Sequence, residues 1–132
     1  MAHSMPLLLD TNVLIYNLQG TLSAQVKASV RQAMDAKNAY ISVITRIEVL
    51  GWKGYSDITL QQMGQLLSKL HEIPLTEAVV QDTIRIRKQF GLKLPDAVIA
   101  ASAIVQGIGL LTGNVDDFKR VTDLQVHSIW PA

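Results

Sequence analysis

The segment PLLLDTNVLI, residues 6–15, sets three consecutive leucines directly before an aspartate and then returns to apolar residues. A strand with no polar side is typical of the centre of a parallel sheet, where helices cover both faces. A carboxylate is costly in such surroundings unless it has a partner, so Asp10 requires a role. Because it directly follows the strand, it should lie at the carboxyl edge of the sheet, where open α/β folds bind their ligands.

Composition indicates one domain that folds on its own. The chain has 132 residues, of which 48% are hydrophobic, and this suits a single domain with a proper core. There is no cysteine, which excludes disulfides and thiolate metal sites and favours a cytoplasmic location. Twelve Lys and Arg residues against eleven Asp and Glu give a formal net charge of +1. An anionic partner would therefore have to be held locally.

Two segments are candidates for a secretion signal and a membrane span: the first five residues and the longest apolar run. The leading MAHSM lacks the basic start and long apolar stretch of a secretion signal. We interpret residues 1–4 as an added remnant ahead of a native start at Met5, followed by one domain over residues 5–132. The run at 97–111 is interrupted by Gln106 and by glycines and is too short for a membrane span. No membrane anchor is expected.

Alternating short apolar runs and longer amphipathic runs predict an α/β fold. The expected strands are residues 5–9, 39–42, 72–75, 109–112 and 125–129. The expected helices begin near residue 12, span 22–36, continue from the second strand to about 52, include an apolar stripe over 60–70, span 77–90, and begin again at Pro95. This order, β-α-α-β-α-α-β-α-α-β-α-β, implies a parallel sheet with helices on both faces and right-handed crossovers.

Two acidic segments directly follow predicted strands. Asp10 follows the first strand, and TGNVDD, residues 112–117, begins at the end of the GLLT strand, so acids from both should emerge at one edge. Each has a purely structural alternative. Asp10 can cap the next helix, and Asp116 and Asp117 can be ordinary loop residues.

Two further acids belong to predicted helices. Glu48 shares a helix face with Ile44 and Ile47, and we expect it to point inward. It can instead complete a capping box with Thr45 in T-R-I-E. Asp96 lies in the first turn of a helix whose next eleven residues carry no charge, which indicates a buried helix with one carboxylate at its mouth. Alternatively, the only role of Asp96 is a favourable interaction of its negative charge with the helix dipole.

Considered together, these acids predict a cation site. Carboxylates gathered at one edge repel each other, and burial raises the cost of their charge. Oxygen ligands without cysteine or well-placed histidine suit hard ions such as Mg²⁺ or Mn²⁺. The histidines at positions 3, 71 and 127 have no zinc spacing. Carboxylate-held Mg²⁺ is typical of phosphodiester cleavage.

Four segments, LLLDTNVLI, TRIEVLG, KLPDAVIAASA and LLTGNVDDF, resemble in content and order the signature blocks of the PIN-domain family, most closely its VapC-type toxins. The resemblance extends over the chain from Met5 onward. It implies a three-layer α/β/α PIN-like fold and a Mg²⁺- or Mn²⁺-dependent endoribonuclease. VapC-like members cut structured RNAs such as tRNA or ribosomal RNA, so the resemblance also implies an RNA substrate, a cognate antitoxin and a homodimer.

The resemblance assigns roles by position. The acids that hold the metal correspond to Asp10, Glu48, Asp96 and, in the fourth block, Asp117. The supporting polar positions correspond to Thr11, Asn12, Thr112, Asn114 and Asp116. Where many relatives carry an aspartate two residues after the threonine, this chain has Asn114, so a second ion is left open and one tightly held ion is expected. Asp117 is the preferred fourth acid, and Asp116 is its competitor.

Basic residues that flank the acidic blocks are candidates for contacts with RNA phosphates. They are Arg85, Arg87, Lys88, Lys93, Lys119 and Arg120, together with Lys53 after the Glu48 helix. Such runs are also typical of a solvated helix face. Aromatic content is only 5%, so recognition is expected to depend on the RNA backbone and shape, not on a base-stacking platform. Trp52 and Tyr55 are candidate contacts for a homodimer or an antitoxin.

Two other functions fit parts of the sequence. A catalytically silent, PIN-like protein-interaction module is favoured by Asn114, but such a module would have no physical reason to keep clustered acids. A phospho-receiver domain also places acids at strand ends. It would need an acidic pair after the first strand and an acceptor aspartate after a middle strand, and neither is present.

Overall fold

The computed structural model describes residues 5–131, which form five strands and seven helices. The strands are β1 (Leu7–Leu9), β2 (Ala39–Ser42), β3 (His71–Ile73), β4 (Gly109–Thr112) and β5 (Val126–Ser128). The helices are α1 (Thr11–Gln19), α2 (Ala24–Asp35), α3 (Val43–Leu50), α4 (Asp57–Leu67), α5 (Glu77–Phe90), α6 (Leu94–Gln106) and α7 (Val115–Phe118). This order confirms the one predicted from the sequence.

The strands form one parallel sheet in the order β3-β2-β1-β4-β5. β1 is therefore the central strand, as its uninterrupted leucines predicted. In the register of the sheet, Leu8 pairs with Tyr40 on one side and with Leu110 on the other. Because every strand runs the same way, the residues that follow β1, β2 and β4 emerge at one carboxyl edge.

Helices cover both faces of the sheet, which gives three layers. Leu8 packs into a core formed with α5, α6 and α7, whereas Leu7 and Leu9 pack into a second core formed with α1, α2, α3 and α4. The alternation of side chains along a strand explains why three adjacent leucines serve two cores. The α/β/α architecture expected from the sequence is confirmed.

Several element boundaries differ from the sequence prediction, for local reasons. The first strand is Leu7–Leu9 and not 5–9, with Met5 and Pro6 exposed. The third strand is His71–Ile73 and not 72–75, because the proline at position 74 has no N–H for the ladder. The second helix is Ala24–Asp35 and not 22–36, and the third ends at Leu50 and not near 52. The last strand is Val126–Ser128 and not 125–129.

The apolar stripe over residues 60–70 is only partly core. Met63 and Leu67 are buried, Leu66 and Leu70 are half-buried, and Leu60 is exposed. α4 packs chiefly against α3 and not on the middle of the sheet, so only one narrow side of it is covered. The interpretation of residues 1–4 as a remnant, including His3, concerns positions outside the described residues. Within residues 5–131 no helix combines the length and the apolarity required to cross a bilayer.

Candidate functional site

Asp10 lies at the carboxyl end of the central strand and is only 6% exposed. Its Oδ1 accepts a hydrogen bond from the backbone N–H of Thr11 at 2.8 Å, and its Oδ2 accepts one from the hydroxyl of Thr112 at 2.7 Å. Asp10 is the N-cap residue of α1, so the capping interpretation is correct for one of its oxygens. The bond to Thr112 joins the ends of the adjacent strands β1 and β4, and capping does not require it.

Glu48 reaches this edge from α3. The hydroxyl of Thr11 donates to Glu48 Oε1 at 2.7 Å and lies 3.1 Å from the hydroxyl of the fully buried Thr45. The expectation that Glu48 points inward is wrong, since its side chain is exposed and the inward face of α3 carries Thr45 and Val49. The capping box is wrong too, because Ser42 is the N-cap residue and its hydroxyl oxygen accepts from the backbone of α3.

Asp96 lies in the first turn of α6 and is half-buried. Residues 97–103 of this helix are all buried, which confirms that Asp96 is the one carboxylate at the mouth of a buried helix. The N-cap residue, Lys93, makes no side-chain capping hydrogen bond. Asp96 therefore stands at the positive end of a helix dipole and faces the other acids of the sheet edge.

The fourth block forms a short hydrogen-bonded chain. The backbone N–H of Asn114 donates to the hydroxyl oxygen of Thr112 at 2.9 Å, and the amide of Asn114 donates to Asp117 Oδ2 at 2.8 Å. Asp116 instead points away, with a side chain 89% exposed and an ion pair to Lys119 at 3.1 Å. The geometry thus sets Asp117 on the side of Thr112 and Asp10, and leaves Asp116 outside the group.

Electrostatics link acids from all four blocks. Burial, above all, raises the pKa of Asp96, and the negative charges of Asp10, Asp117 and Glu48 raise it further, whereas Lys93 lowers it. Burial likewise raises the pKa of Asp10, and the charge of Glu48 adds to this, against the lowering effect of the hydrogen bonds from the Thr112 side chain and the Thr11 backbone. The folded environment therefore disfavours the ionised forms of Asp10 and Asp96.

The donor set fits a hard divalent cation. Four carboxylates, with hydroxyl and amide groups beside them, offer oxygen ligands of the kind that Mg²⁺ and Mn²⁺ prefer, and the pKa values of Asp10 and Asp96 are raised there. Within residues 5–131, no three His, Asp or Glu side chains stand already arranged as a complete ligand set. Their oxygens are engaged instead with hydroxyl and amide donors, so a cation would have to compete with these hydrogen bonds.

The flanking basic residues differ in their surroundings. Arg85 is paired with Asp82 at 2.7 Å and with Asp123 at 2.8 Å, and Lys119 with Asp116. The side chain of Arg120 contacts only the backbone oxygen of Asp117, at 3.4 Å. Arg87, Lys88 and Lys93 have no ion pair among the described residues. Among these candidates, Lys93 is the one whose charge lowers the pKa of Asp96.

The structure adds two contacts to this edge that no sequence pattern indicated. The backbone N–H of Gly113 donates to Asn12 Oδ1 at 3.3 Å, and the indole N–H of Trp130 donates to the carbonyl oxygen of Gly113 at 2.8 Å. The loop after β4 is therefore fixed from α1 and from the segment after β5. The nearest sequence signal for Trp130 is its position just after the last predicted strand, which does not reveal which loop it meets.

A cavity of about 820 Å³ lies elsewhere, between α2, the end of α4 and the start of β3. None of the four acids lines it. Since β3 begins there, it belongs to the amino edge of the sheet, opposite the acids. Cavity size alone would thus mislead as a guide to the site.

Comparisons with known proteins agree with this arrangement. The family model described as PIN domain matches residues 7–124. Ribonuclease VapC1 of Rickettsia felis is 30% identical over an alignment that covers 95% of this chain and 97% of that protein.

Solved structures extend the likeness to the fold. A toxin–antitoxin complex from Klebsiella pneumoniae has a chain 30% identical to this one, with a TM-score of 0.73 and coverage of 95% of this chain and 98% of the other. DNA-bound VapBC from Salmonella typhimurium gives a TM-score of 0.84 over 96% and 99% of the two chains, and at 19% identity it shows the fold alone. The chain therefore belongs to the PIN-domain family and, within it, to the VapC-type ribonucleases.

Proposed function

We propose that this chain is a divalent-metal-dependent endoribonuclease, the toxin of a VapBC-type toxin–antitoxin pair, which acts on RNA in the cytoplasm. The observation that carries the proposal is the electrostatic linkage of Asp96 to Asp10, Asp117 and Glu48. These four acids come from four separate segments of the chain. Asp10 is buried, Asp96 is half-buried, and Glu48 and Asp117 add negative charge from exposed positions. Such a gathering of negative charge destabilises the protein unless a cation is bound.

The proposed ligands are Asp10, Glu48, Asp96 and Asp117, with Mg²⁺ or Mn²⁺ as the ion. When bound, the ion supplies an activated water and offsets negative charge on the phosphodiester during hydrolysis. Thr112 and the backbone of Thr11 fix the orientation of the Asp10 carboxylate, and the hydroxyl of Thr11 holds Glu48 toward the same edge. No side-chain nucleophile is required.

One ion is proposed and not two. Asn114 occupies a position where an aspartate would add charge, and its amide N–H donates to Asp117. Its remaining carbonyl oxygen can bind a cation but adds no negative charge. The fourth block therefore contributes one carboxylate, Asp117.

Lys93 is the first candidate for a contact with the RNA backbone. It is exposed, and its charge lowers the pKa of Asp96, so a phosphate held by Lys93 would lie close to the acids. Arg87 and Lys88, at the end of α5 just before it, extend the basic surface. The pairing of Arg85 and Lys119 with acids makes these two weaker candidates.

Structured RNA, such as tRNA or ribosomal RNA, is the proposed substrate, and a cognate antitoxin and a second copy of the chain are the proposed protein partners. The similar structures include toxin–antitoxin complexes. The segment from α3 to α4 exposes five large apolar side chains, a surface typical of protein contacts. They are Ile47, Leu50, Trp52, Ile58 and Leu60.

Trp52 is the proposed anchor of the homodimer on this surface. It is 57% exposed and packs edge-on against Tyr55, with ring centroids 4.5 Å apart. We expect Trp52→Ala to shift the protein from dimer to monomer in sedimentation equilibrium. An unchanged mass, in a variant that melts like the wild type, would remove Trp52 from the interface.

The nuclease itself is tested by incubating total RNA with the purified protein in Mg²⁺ or Mn²⁺. We expect cuts at few sites, lost in EDTA and in Asp96→Asn, and kept in Asp116→Asn, the matched control from outside the acid group. Cleavage that survives Asp96→Asn would place the active site elsewhere. No cleavage by the wild type would favour the silent interaction module.

A further inference from the structure

Trp130 is an exposed aromatic residue beside the acidic edge. It follows β5, which pairs with β4, and its indole N–H donates to the carbonyl oxygen of Gly113 at 2.8 Å. Gly113 directly follows Thr112, whose hydroxyl donates to Asp10. The Trp130 contact and the hydrogen bond that holds the central carboxylate thus fall on adjacent residues.

The indole is held in a fixed orientation. The rings of Trp130 and Tyr16 of α1 form a T-shaped contact with 5.8 Å between their centroids. The backbone N–H of Trp130 donates to the hydroxyl oxygen of Ser128 at 2.9 Å. Even so, 52% of the residue's surface stays accessible. An indole that is held by a hydrogen bond and a ring contact, in a residue that stays about half accessible, loses little further conformational entropy when a second ring packs against it.

A cavity of about 300 Å³ lies against this indole. Its lining consists of Trp130, Ser128 and residues 113–116, which run from the loop after β4 into the first turn of α7. The cavity therefore shares its wall with the fourth acidic block. Its volume suits a flat ring the size of a nucleobase, and Asn114 and Ser128 offer polar groups to the edge of such a ring.

We propose that Trp130 and this cavity form a subsite for one unpaired nucleobase, next to the phosphodiester that is cut. The inference rests on the proposed ribonuclease function and adds the class of substrate. A base can stack on a side chain only when it has left its own helix, so the substrate is an RNA with an unpaired nucleotide beside the cut, as in a loop or bulge. Continuous duplex RNA is not cut.

This subsite modifies one expectation from the sequence. Low aromatic content predicted recognition that depends on the RNA backbone and shape and not on a base-stacking platform. The structure brings a single tryptophan to the acidic edge, and one well-placed ring is enough to select an unpaired base. The chain's other tryptophan, Trp52, lies in the loop after α3 and lines none of this cavity.

The chain offers a direct probe of the subsite. It has two tryptophans, so Trp52→Phe leaves Trp130 as the only indole. In EDTA, where RNA binds without being cut, we expect a short unpaired RNA oligonucleotide to quench Trp130 fluorescence. An abasic oligonucleotide of the same length, with the same phosphates, should quench far less. Equal quenching by both, or quenching by neither, would overturn the proposal.

Two substitutions in this background separate stacking from loop fixation. Trp130→Leu removes the ring, and we expect about tenfold weaker binding of unpaired RNA, measured by fluorescence anisotropy of labelled RNA. Trp130→Phe keeps a ring but loses the N–H bonded to Gly113, and we expect binding within about threefold of the parent. If Trp130→Phe binds as poorly as Trp130→Leu while both melt like the parent, the indole acts through Gly113 and the subsite is wrong.

Cleavage assays distinguish failure of the subsite from failure of the proposed function. These assays use the wild-type chain, with Trp52 in place. Under the proposal, the wild type cuts RNA in Mg²⁺ beside unpaired nucleotides, and Trp130→Leu made in the wild type loses this preference. A Trp130→Leu variant that cuts the same sites at the same rate would remove the subsite and leave the nuclease intact. Quenching of Trp130 by unpaired RNA, together with no cleavage by the wild type, would keep the subsite as a binding site and remove the nuclease.

Discussion

At the scale of single residues, Asp10 has a hydrogen-bond partner at each carboxylate oxygen and is still unfavourable as an anion. The backbone N–H of Thr11 and the hydroxyl of Thr112 stabilise its charge, while burial and the charge of Glu48 oppose it. Burial is the largest of these effects. Residues at functional sites often retain such unfavourable energies because a ligand offsets them.

The Thr112 hydroxyl provides a test of this balance. Thr112→Val keeps the shape of the side chain but removes the donor to Asp10, so we expect the free energy of unfolding to fall by about 1–3 kcal/mol at neutral pH. RNA cleavage should fall as well, since Asp10 loses its orientation. Urea denaturation in EDTA measures the first effect. Thr112→Ser, which keeps the hydroxyl, is the control and should unfold close to the wild type.

Asp96 gives a prediction with a definite pH dependence. Its pKa is raised in the folded protein, so the stability that Asp96 contributes is fully present at low pH and is lost as the pH rises through the raised pKa. Asp96→Asn cannot ionise and should melt a few degrees above the wild type at neutral pH in EDTA. The difference should disappear toward pH values below the raised pKa.

Melting temperatures of the two proteins across this pH range, in EDTA, measure the effect. Asp116→Asn is the matched control, because Asp116 is exposed and paired with Lys119, and it should show no increase. An Asp96→Asn variant that melts at or below the wild-type temperature at neutral pH would mean that neither burial nor neighbouring negative charge raises the pKa of Asp96.

At the scale of elements, α5 and α6 place Asp96 through a tight turn. Gly91 caps the end of α5 with a left-handed backbone, at φ of +71°, and α6 begins three residues later. A side chain at such a position strains the backbone, although an added Cβ would have no atom within 4 Å. The turn therefore depends on glycine for its backbone conformation and not for space.

A pair of glycine substitutions tests this point. Gly91→Ala should lower the free energy of unfolding by about 1 kcal/mol, because alanine resists the left-handed conformation. Gly64→Ala, in the interior of α4 with open space around an added Cβ, should raise it by up to about 1 kcal/mol. Urea denaturation of both variants measures the effects. Changes of the same sign would contradict the explanation.

At the scale of the whole molecule, the sheet brings together acids that the sequence separates by up to about a hundred residues. A cation bound by them would stabilise the folded chain, since the unfolded chain has no such group. We expect Mg²⁺ to raise the melting temperature with increasing concentration, corresponding to about 2.7 kcal/mol at a hundredfold excess over Kd. Thermal melts in a Mg²⁺ titration against EDTA measure this.

Variants locate the origin of that stabilisation. In Asp10→Asn the response to Mg²⁺ should be largely lost, because Asp10 is the central and most buried acid of the group. In Asp116→Asn it should remain. An equal response in all three proteins would show that the ion binds elsewhere.

Much of the fold could be predicted because its signals are local. Three leucines and no polar alternation predicted the central strand, and the strands Ala39–Ser42 and Gly109–Thr112 and the helix Glu77–Phe90 lie where the sequence predicted them. The residue patterns typical of strands and helices repeat over a few residues. Gly91 marks the end of one helix, and Pro95 marks the start of the next. The order of elements then allows few arrangements other than a parallel sheet.

What the tertiary structure alone decided is which residues meet. It directed Glu48 to solvent and toward Thr11, 37 residues away along the chain, and it brought Thr112 to Asp10 across 102 residues. The hydrogen bond from Asn114 to Asp117 and the ion pair of Asp116 with Lys119 are local by contrast, since each spans three residues. The tertiary structure also set Trp130 against Gly113. Side-chain direction depends on the packing of α3 and α7 against their neighbours, and this is not encoded in the spacing of acids along the chain. The sequence therefore determined the list of candidate acids and the edge where they gather, whereas packing determined which of them face one another.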